Sequence, residues 1–207
     1  MSIITDYFKI SQITENIFLS GTFPLDEDQN IKKYNIKCIL SCVDPLYTTE
    51  LHDRIMINNP DITILYLPYN DVIEQNLWME NKNKIKIKKY INSMDAYNEL
   101  ANLNRLYDNK PMIEIGYHFI DNCIKSNNNI LIHCMAGVSR SISVLIYYFM
   151  KKLHIGYDDA LKIIKNKRII ANPNISFELQ LKGYQNKRDK FTEMDANNII
   201  NELYKNV

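Results

Sequence analysis

The chain has 207 residues, 46% apolar and 24% charged, a balance that builds one ordinary core and excludes global disorder. Lys and Arg number 25 against 24 Asp and Glu, and a net charge of +1 argues against a protein built to coat nucleic acid or an anionic membrane. The longest greasy stretch, Ile142 to Met150, is far too short to span a bilayer, and the opening MSIITDYFKI lacks the basic-then-apolar order of a secretory signal.

In chain order the pattern is α/β. Residues 10–19 alternate enough for one or two short strands, and Gly21 permits a turn after them. Ile36 to Val43 and Ile62 to Leu67 read as buried strands rich in β-branched residues, the second ended by Pro68. Residues 76–111 stand apart. They open with Trp78 and the lysine run NKNKIKIKKY (Lys82, Lys84, Lys86, Lys88, Lys89). They continue as an amphipathic helix carrying Met94, Tyr97, Leu100, Ala101, Leu103 and Tyr107, with Ser93 as its expected N-cap. The segment reads as a solvated insertion packing its stripe onto the domain, or else as a dimer or partner surface. A helix over 114–124 should bury Ile113, Tyr117, Ile120 and Ile124. Asn127 to Asn129 should then turn the chain into a short strand, Ile130 to His133. After a loop containing Gly137, a helix carries Ile142, Leu145, Ile146, Phe149 and Leu153, with Gly156 placed to stop it. Another helix starts at Tyr157 or Asp158. Pro173-Asn174 then breaks the chain before a final helical region.

The four cysteines (Cys38, Cys42, Cys123, Cys134) are too few for a disulfide scaffold, so a reducing intracellular compartment is expected: cytoplasm, with nucleus or virion as variants. Cys38 and Cys42 share one strand face by period two and read as core packing. The rarer role, for either of them or for Cys123, is to trap an oxidised Cys134. No HxH, HExxH or paired CxxC supports a metal site. Richness in Ile, Lys, Asn and Tyr, whose codons are AT-rich, hints at an AT-rich genome and says nothing of chemistry.

The chemistry sits in His133-Cys134-Met135-Ala136-Gly137-Val138-Ser139-Arg140-Ser141, between a buried strand and a helix. There the amides of residues 135–140 can converge on a tetrahedral oxyanion at a helix N-terminus, and Gly137 lets the backbone curl around it. Arg140 supplies a two-pronged donor for phosphoryl oxygens. The same positive field lowers the Cys134 thiol pKa, and Ser141 can hydrogen-bond the sulfur. His133 reads as a loop-shaping residue. Asp71, on the loop after the strand 62–67, sits where α/β sheets bind ligands. By position alone it reads equally as a general acid or as a turn cap.

With these residues in view, the chain resembles the cysteine-based dual-specificity protein phosphatases, whose signature HCxxGxSRS is matched by 133–141 at every fixed position. ITENIFLSG resembles the family's opening strand, ILYLPYND its acid-bearing strand and loop, and NPNISFELQL, with Asn174, Phe177, Gln180 and Leu181, its closing motif. The resemblance implies a central, mainly parallel mixed sheet of about five strands flanked by helices. It implies a single phosphatase domain over 1–207, with the helical insertion at 76–111 and a C-terminal helical extension at 186–207. The core should include Ile39, Ile64, Leu65, Leu131, Leu145, Ile146, Phe149 and Leu161. It also implies that Cys134 attacks phosphorus, Arg140 binds the phosphoryl group, and Asp71 serves as acid and then base, with Asn174 in support and no metal or cofactor. The insertion widens the Asp71-to-Cys134 spacing, which makes Asp95 and Asp108 fallback acids. The expected substrate is a phosphoprotein, and nucleic acid and membranes are not expected partners. The other readings are a catalytically weak phosphoprotein-binding module and an RNA 5′-phosphatase. The second rests on the lysine run.

Overall fold

A computed structural model describes residues 3–27, 29–80, 86–91 and 93–188. The elements are α1 (Ile3–Tyr7), β1 (Ser11–Gln12), β2 (Ile17–Ser20), α2 (Gln29–Lys33), β3 (Ile36–Ser41), α3 (Thr49–Asn58) and β4 (Thr63–Tyr66), then β5 (Lys86–Lys89), α4 (Met94–Tyr107), α5 (Met112–Lys125), β6 (Asn129–His133), α6 (Arg140–Lys152) and α7 (Tyr157–Lys165). A last helix, α8, runs over 175–188. The fold is α/β, with the described strands in one mixed sheet ordered β1-β2-β6-β3-β4-β5. The four middle strands are parallel and the two edge strands antiparallel.

The central strands are apolar at almost every position because both sheet faces are covered. Leu40, Leu65, Ile130 and Ile132 meet α5 and α6 on one face. Ile39, Ile64 and Leu131 meet Ile31 of α2 and Ile55 of α3 on the other. Of the expected core residues only Leu161 is half-buried. At the C-terminal end of the sheet, Ser20, His133, Ser41 and Tyr66 stand side by side in register. The loops after β2, β3, β4 and β6 therefore gather at one edge.

Several expectations are corrected. The mixed sheet is as expected, with six strands among the described residues, because the end of the lysine run pairs with β4 as β5. Ile87 buries its side chain opposite Leu65, while Lys88 reaches Asp53 at 2.8 Å. Lysines on an edge strand also oppose edge-to-edge pairing with other chains. Lys82 and Lys84 lie outside the described residues. Helix α4 buries only its C-terminal half: Tyr107 is buried and Leu100 and Leu103 pack on the core, whereas Met94 and Tyr97 are exposed. Trp78, at the opening of the insertion, packs against Tyr147 of α6 and Tyr184 of α8. Gly156 does not stop α6. That helix ends at Lys152 with Leu153 as its C-cap, His154 takes the left-handed turn, and Gly156 instead precedes α7 as its N-cap. Cys38 of β3 and Cys123 of α5 form a disulfide with Cα atoms 6.6 Å apart, leaving Cys42 and Cys134 as buried free thiols. Cys38 and Cys42 read as core packing on one strand face, but Cys38 is paired with a partner 85 residues on. Of the extension at 186–207, residues 186–188 continue α8 and the rest lies outside the described residues.

Candidate active site

The loop after β6 is curled by four outward-pointing carbonyls. Thr22 donates its amide (3.0 Å) and hydroxyl (3.2 Å) to the Met135 carbonyl. Arg168 donates Nη2 to the Ala136 carbonyl (3.1 Å) and Nε to that of Gly137 (2.7 Å). The Asn172 amide donates to the Val138 carbonyl (2.8 Å). In a planar trans peptide the N–H points opposite the C=O. Fixing these carbonyls outward therefore turns the amides of Ala136, Gly137, Val138 and Ser139 inward, toward the N-terminus of α6. Gly137 is required here: its φ is +66°, and a Cβ would lie 2.4 Å from the Ser20 carbonyl oxygen and 2.6 Å from Arg168 Nη2.

Cys134 lies at the base of this cup, 1% exposed. Its Sγ accepts from the Gly137 amide (3.2 Å) and the Ser141 hydroxyl (3.3 Å). Burial alone would push the thiol up. The Ser141 hydroxyl and amide, the Arg140 charge and the Val138 amide outweigh it and hold Cys134 below the ordinary thiol range. Cys42, buried beside it without such donors, is pushed well up by desolvation and by the neighbouring Cys134.

Asp71 reaches the rim of the cup. Its Oδ1 accepts from Ser139 Oγ (2.7 Å) and Asn174 Nδ2 (2.8 Å), and its Oδ2 lies 3.7 Å from Arg140 Nε. Asn174 also caps α8, accepting from the Phe177 amide at 3.0 Å. Gln180 of α8 accepts from the Leu77 amide and donates to the Gln75 carbonyl, both at 2.9 Å, and Ser176 donates to the Ile73 carbonyl at 2.6 Å. The loop that carries Asp71 is thus fastened to α8. Arg140 donates to the Tyr69 carbonyl at 3.4 Å, and its buried Nε makes no hydrogen bond. The expected residues Cys134, Arg140, Ser141, Asp71 and Asn174 converge, and Met135 to Ser139 form the cup. Asp108 is exposed just beyond α4, and the side chain of Asp95 lies outside the description. Among the described residues no group of three or more His, Cys, Asp or Glu is arranged to hold a metal ion.

Sequence reasoning missed Arg168. Fully buried, it also donates to the Asp6 carbonyl (2.9 Å) and to Ser11 Oγ (3.3 Å). The Asp6 carboxylate in turn accepts from the Ile169 amide at 2.8 Å. No periodicity marks this arginine, which sits between two helices in a lysine-rich stretch. Arg168→Met should leave several buried acceptors unpaired at about 1–3 kcal/mol each. For a domain of this size that predicts a fall of about 10 °C in melting temperature. Calorimetry checks the fall, and activity should drop as well, because the Ala136 and Gly137 peptides lose what holds them outward.

A buried, acidified thiol under inward amides, with an arginine and a carboxylate at the rim, is equipped for covalent phosphoryl transfer. The model of the dual specificity phosphatase catalytic domain matches residues 17–187. A protein of Acanthamoeba polyphaga mimivirus named as a tyrosine-protein phosphatase is 56% identical over 192 residues, spanning 92% of this chain and 91% of that one. Human dual specificity protein phosphatase 9 is 42% identical over 67 residues, which is 32% of this chain and 17% of that protein. The crystal structure of DUSP15 superposes with a TM-score of 0.59 at 22% identity, covering 85% of this chain and 86% of that one. The chain belongs to the dual specificity phosphatase family. It is a protein phosphatase, a phosphoric monoester hydrolase whose substrates are phosphoproteins. No described helix is long and apolar enough to cross a membrane.

Proposed function

We propose that the protein hydrolyses phosphotyrosine and phosphoserine or phosphothreonine through a phosphocysteine on Cys134. The Cys134 thiolate attacks phosphorus. The P–O ester bond breaks as Asp71 gives its proton to the departing oxygen. Water then attacks the phosphocysteine, Asp71 takes its proton, and the S–P bond breaks to release phosphate and thiolate. The inward amides and Arg140 bind the equatorial oxygens in both steps, and Ser141 stabilises the sulfur as leaving group. One carboxyl oxygen, Oδ1, already accepts two hydrogen bonds, so the mobile proton belongs on Oδ2.

The observation that carries this reading is the Cys134 sulfur held by Gly137 and Ser141 at the base of the inward-facing amides. A cavity of about 590 Å³ beside the acid-bearing loop, bordered by Pro45, Val72, Glu74 and Lys86, supports a peptide substrate whose flank meets the insertion. The test is rapid acid quench during turnover of p-nitrophenyl phosphate with EDTA present, followed by peptide mass spectrometry. A phosphoryl group on the Cys134 peptide is expected. Binding of phosphopeptides without turnover would replace the enzyme by a binding module.

A further inference from the structure

Where residues 76–78 meet α8, a cavity of about 430 Å³ is lined by Asn76, Trp78, Gln180, Gly183, Tyr184 and Lys187. The four α8 residues share one helix face by their spacing. The walls are aromatic and are held from behind. The Trp78 and Tyr184 ring centroids lie 5.8 Å apart at 30°, and Tyr147 of α6 packs edge-on against both, at 5.7 and 5.0 Å. The volume is that of a small-molecule site. Of the residues bordering the larger cavity beside the Asp71 loop, only Asn76 is shared.

Gly183 lies well inside α8, where a glycine weakens a helix relative to alanine. Its backbone is not left-handed, and a Cβ built on it meets no atom within 4 Å. Neither backbone conformation nor close packing requires glycine at this position. What the missing side chain provides is room in the cavity. The polar groups left over around that room are donors. Gln180 is spent on the Leu77 amide, the Gln75 carbonyl and the Ser176 hydroxyl. Asn76 accepts the Trp78 amide on Oδ1 at 2.8 Å, which leaves its NH2 group. Lys187 is the one charged residue in the lining and makes no ion pair among the described residues. The cavity thus offers ring faces, an amide donor and a cation, and no carboxylate.

We propose that this cavity is a binding site for a small planar aromatic carboxylate, its ring stacked on Trp78 and Tyr184 over Gly183 and its charge at Lys187 and Asn76. Ring faces at an offset and charge-assisted donors together select that chemistry. The ligand touches both sides of the joint that Gln180 makes between residues 75–77 and α8. Occupancy therefore clamps the end of the Asp71 loop to the helix, since a ligand stabilises the arrangement it binds.

The test needs no phosphate ester, so its outcome is separate from that of the proposed function. Trp78 is the chain's only tryptophan, and its indole N–H gives a single resonance in nitrogen-edited NMR. The full chain is titrated with 2-naphthoate and, in parallel, with the uncharged 2-naphthylmethanol. Saturable movement of the indole resonance by the acid is expected, with a Kd of about 1 mM or tighter, and the alcohol should bind about threefold more weakly. Gly183→Leu, which fills the room, should weaken binding by about tenfold or more and raise the melting temperature, because a helix former replaces glycine. Lys187→Gln should weaken the acid about threefold and leave the alcohol unchanged. Exchange of the Leu77 amide, which donates to Gln180 at 2.9 Å, should slow at saturation. Should Gly183→Leu not fold, the exposed substitution Lys187→Gln decides through the comparison of acid and alcohol. No saturable movement up to about 10 mM probe, undiminished binding by a folded Gly183→Leu, or equal binding of acid and alcohol overturns the site. Unchanged exchange at Leu77 overturns the clamp.

Discussion

Cys134→Ser is expected to abolish hydrolysis while leaving phosphopeptide binding in place. The hydroxyl fits where the thiol was, so the loop amides and Arg140 remain to hold a phosphoryl group. A serine hydroxyl, however, stays protonated in a field that suffices to ionise a thiol whose ordinary pKa is about 8.5. Loss of the nucleophile in covalent catalysis costs about a millionfold in kcat, so turnover should fall below detection while titration calorimetry still finds ligand. The same substitution has a signature in stability. The folded protein holds Cys134 below its ordinary value, so between the two values the unfolded chain binds more protons and stability rises with pH. The contribution is complete above about pH 8.5 and is lost as pH falls through the folded-state value. Wild type minus Cys134→Ser, in denaturant melts across pH, should show that slope. A flat difference would mean that the thiol is not acidified.

The readable part of the molecule is the part whose chemistry is local. The stretch from His133 to Ser141 packs the candidate nucleophile, the candidate anion-binding amides and the arginine into nine consecutive residues, and each has a reason to be where it is. Asp71 was half readable. Its place after β4 suggested a ligand edge, but what brings it to the rim of the cup is contact with Ser139 and Asn174, 68 and 103 residues away in sequence. What was not readable is held by long-range geometry. Arg168 supports the loop from across the domain. The His52–His133 contact joins residues 81 apart, and His52 belongs to no spaced motif. Strand β5 escaped notice because its lysines suggested a solvated run, whereas only Ile87 had to be buried to attach it to β4. The Cys38–Cys123 pair is of the same kind. Face assignment by period two was correct, but no local pattern says what stands opposite.

Asp71→Asn should separate the two halves of the proposed chemistry by leaving group. The substituted amide keeps an oxygen able to accept from Ser139 and Asn174, so the loop should remain fastened to α8. It cannot deliver a proton to a departing oxygen. A general acid contributes about 10²–10⁴-fold when the leaving group needs protonation. The fall in kcat/KM should therefore reach that range on a phosphoserine peptide and be much smaller on p-nitrophenyl phosphate, whose phenolate leaves unaided. The limb of the wild-type pH profile that reports a required protonated acid should disappear in the variant, whereas the limb belonging to the Cys134 thiolate should stay. The second step also depends on Asp71 as base, so burst kinetics on the aryl ester should show phosphocysteine accumulating. Equal losses on both substrates with no burst would instead place Asp71 in a structural role, tying Ser139 and Asn174 together across the mouth of the cup. The proton donor would then have to be sought among the other carboxylates of the loop and the insertion.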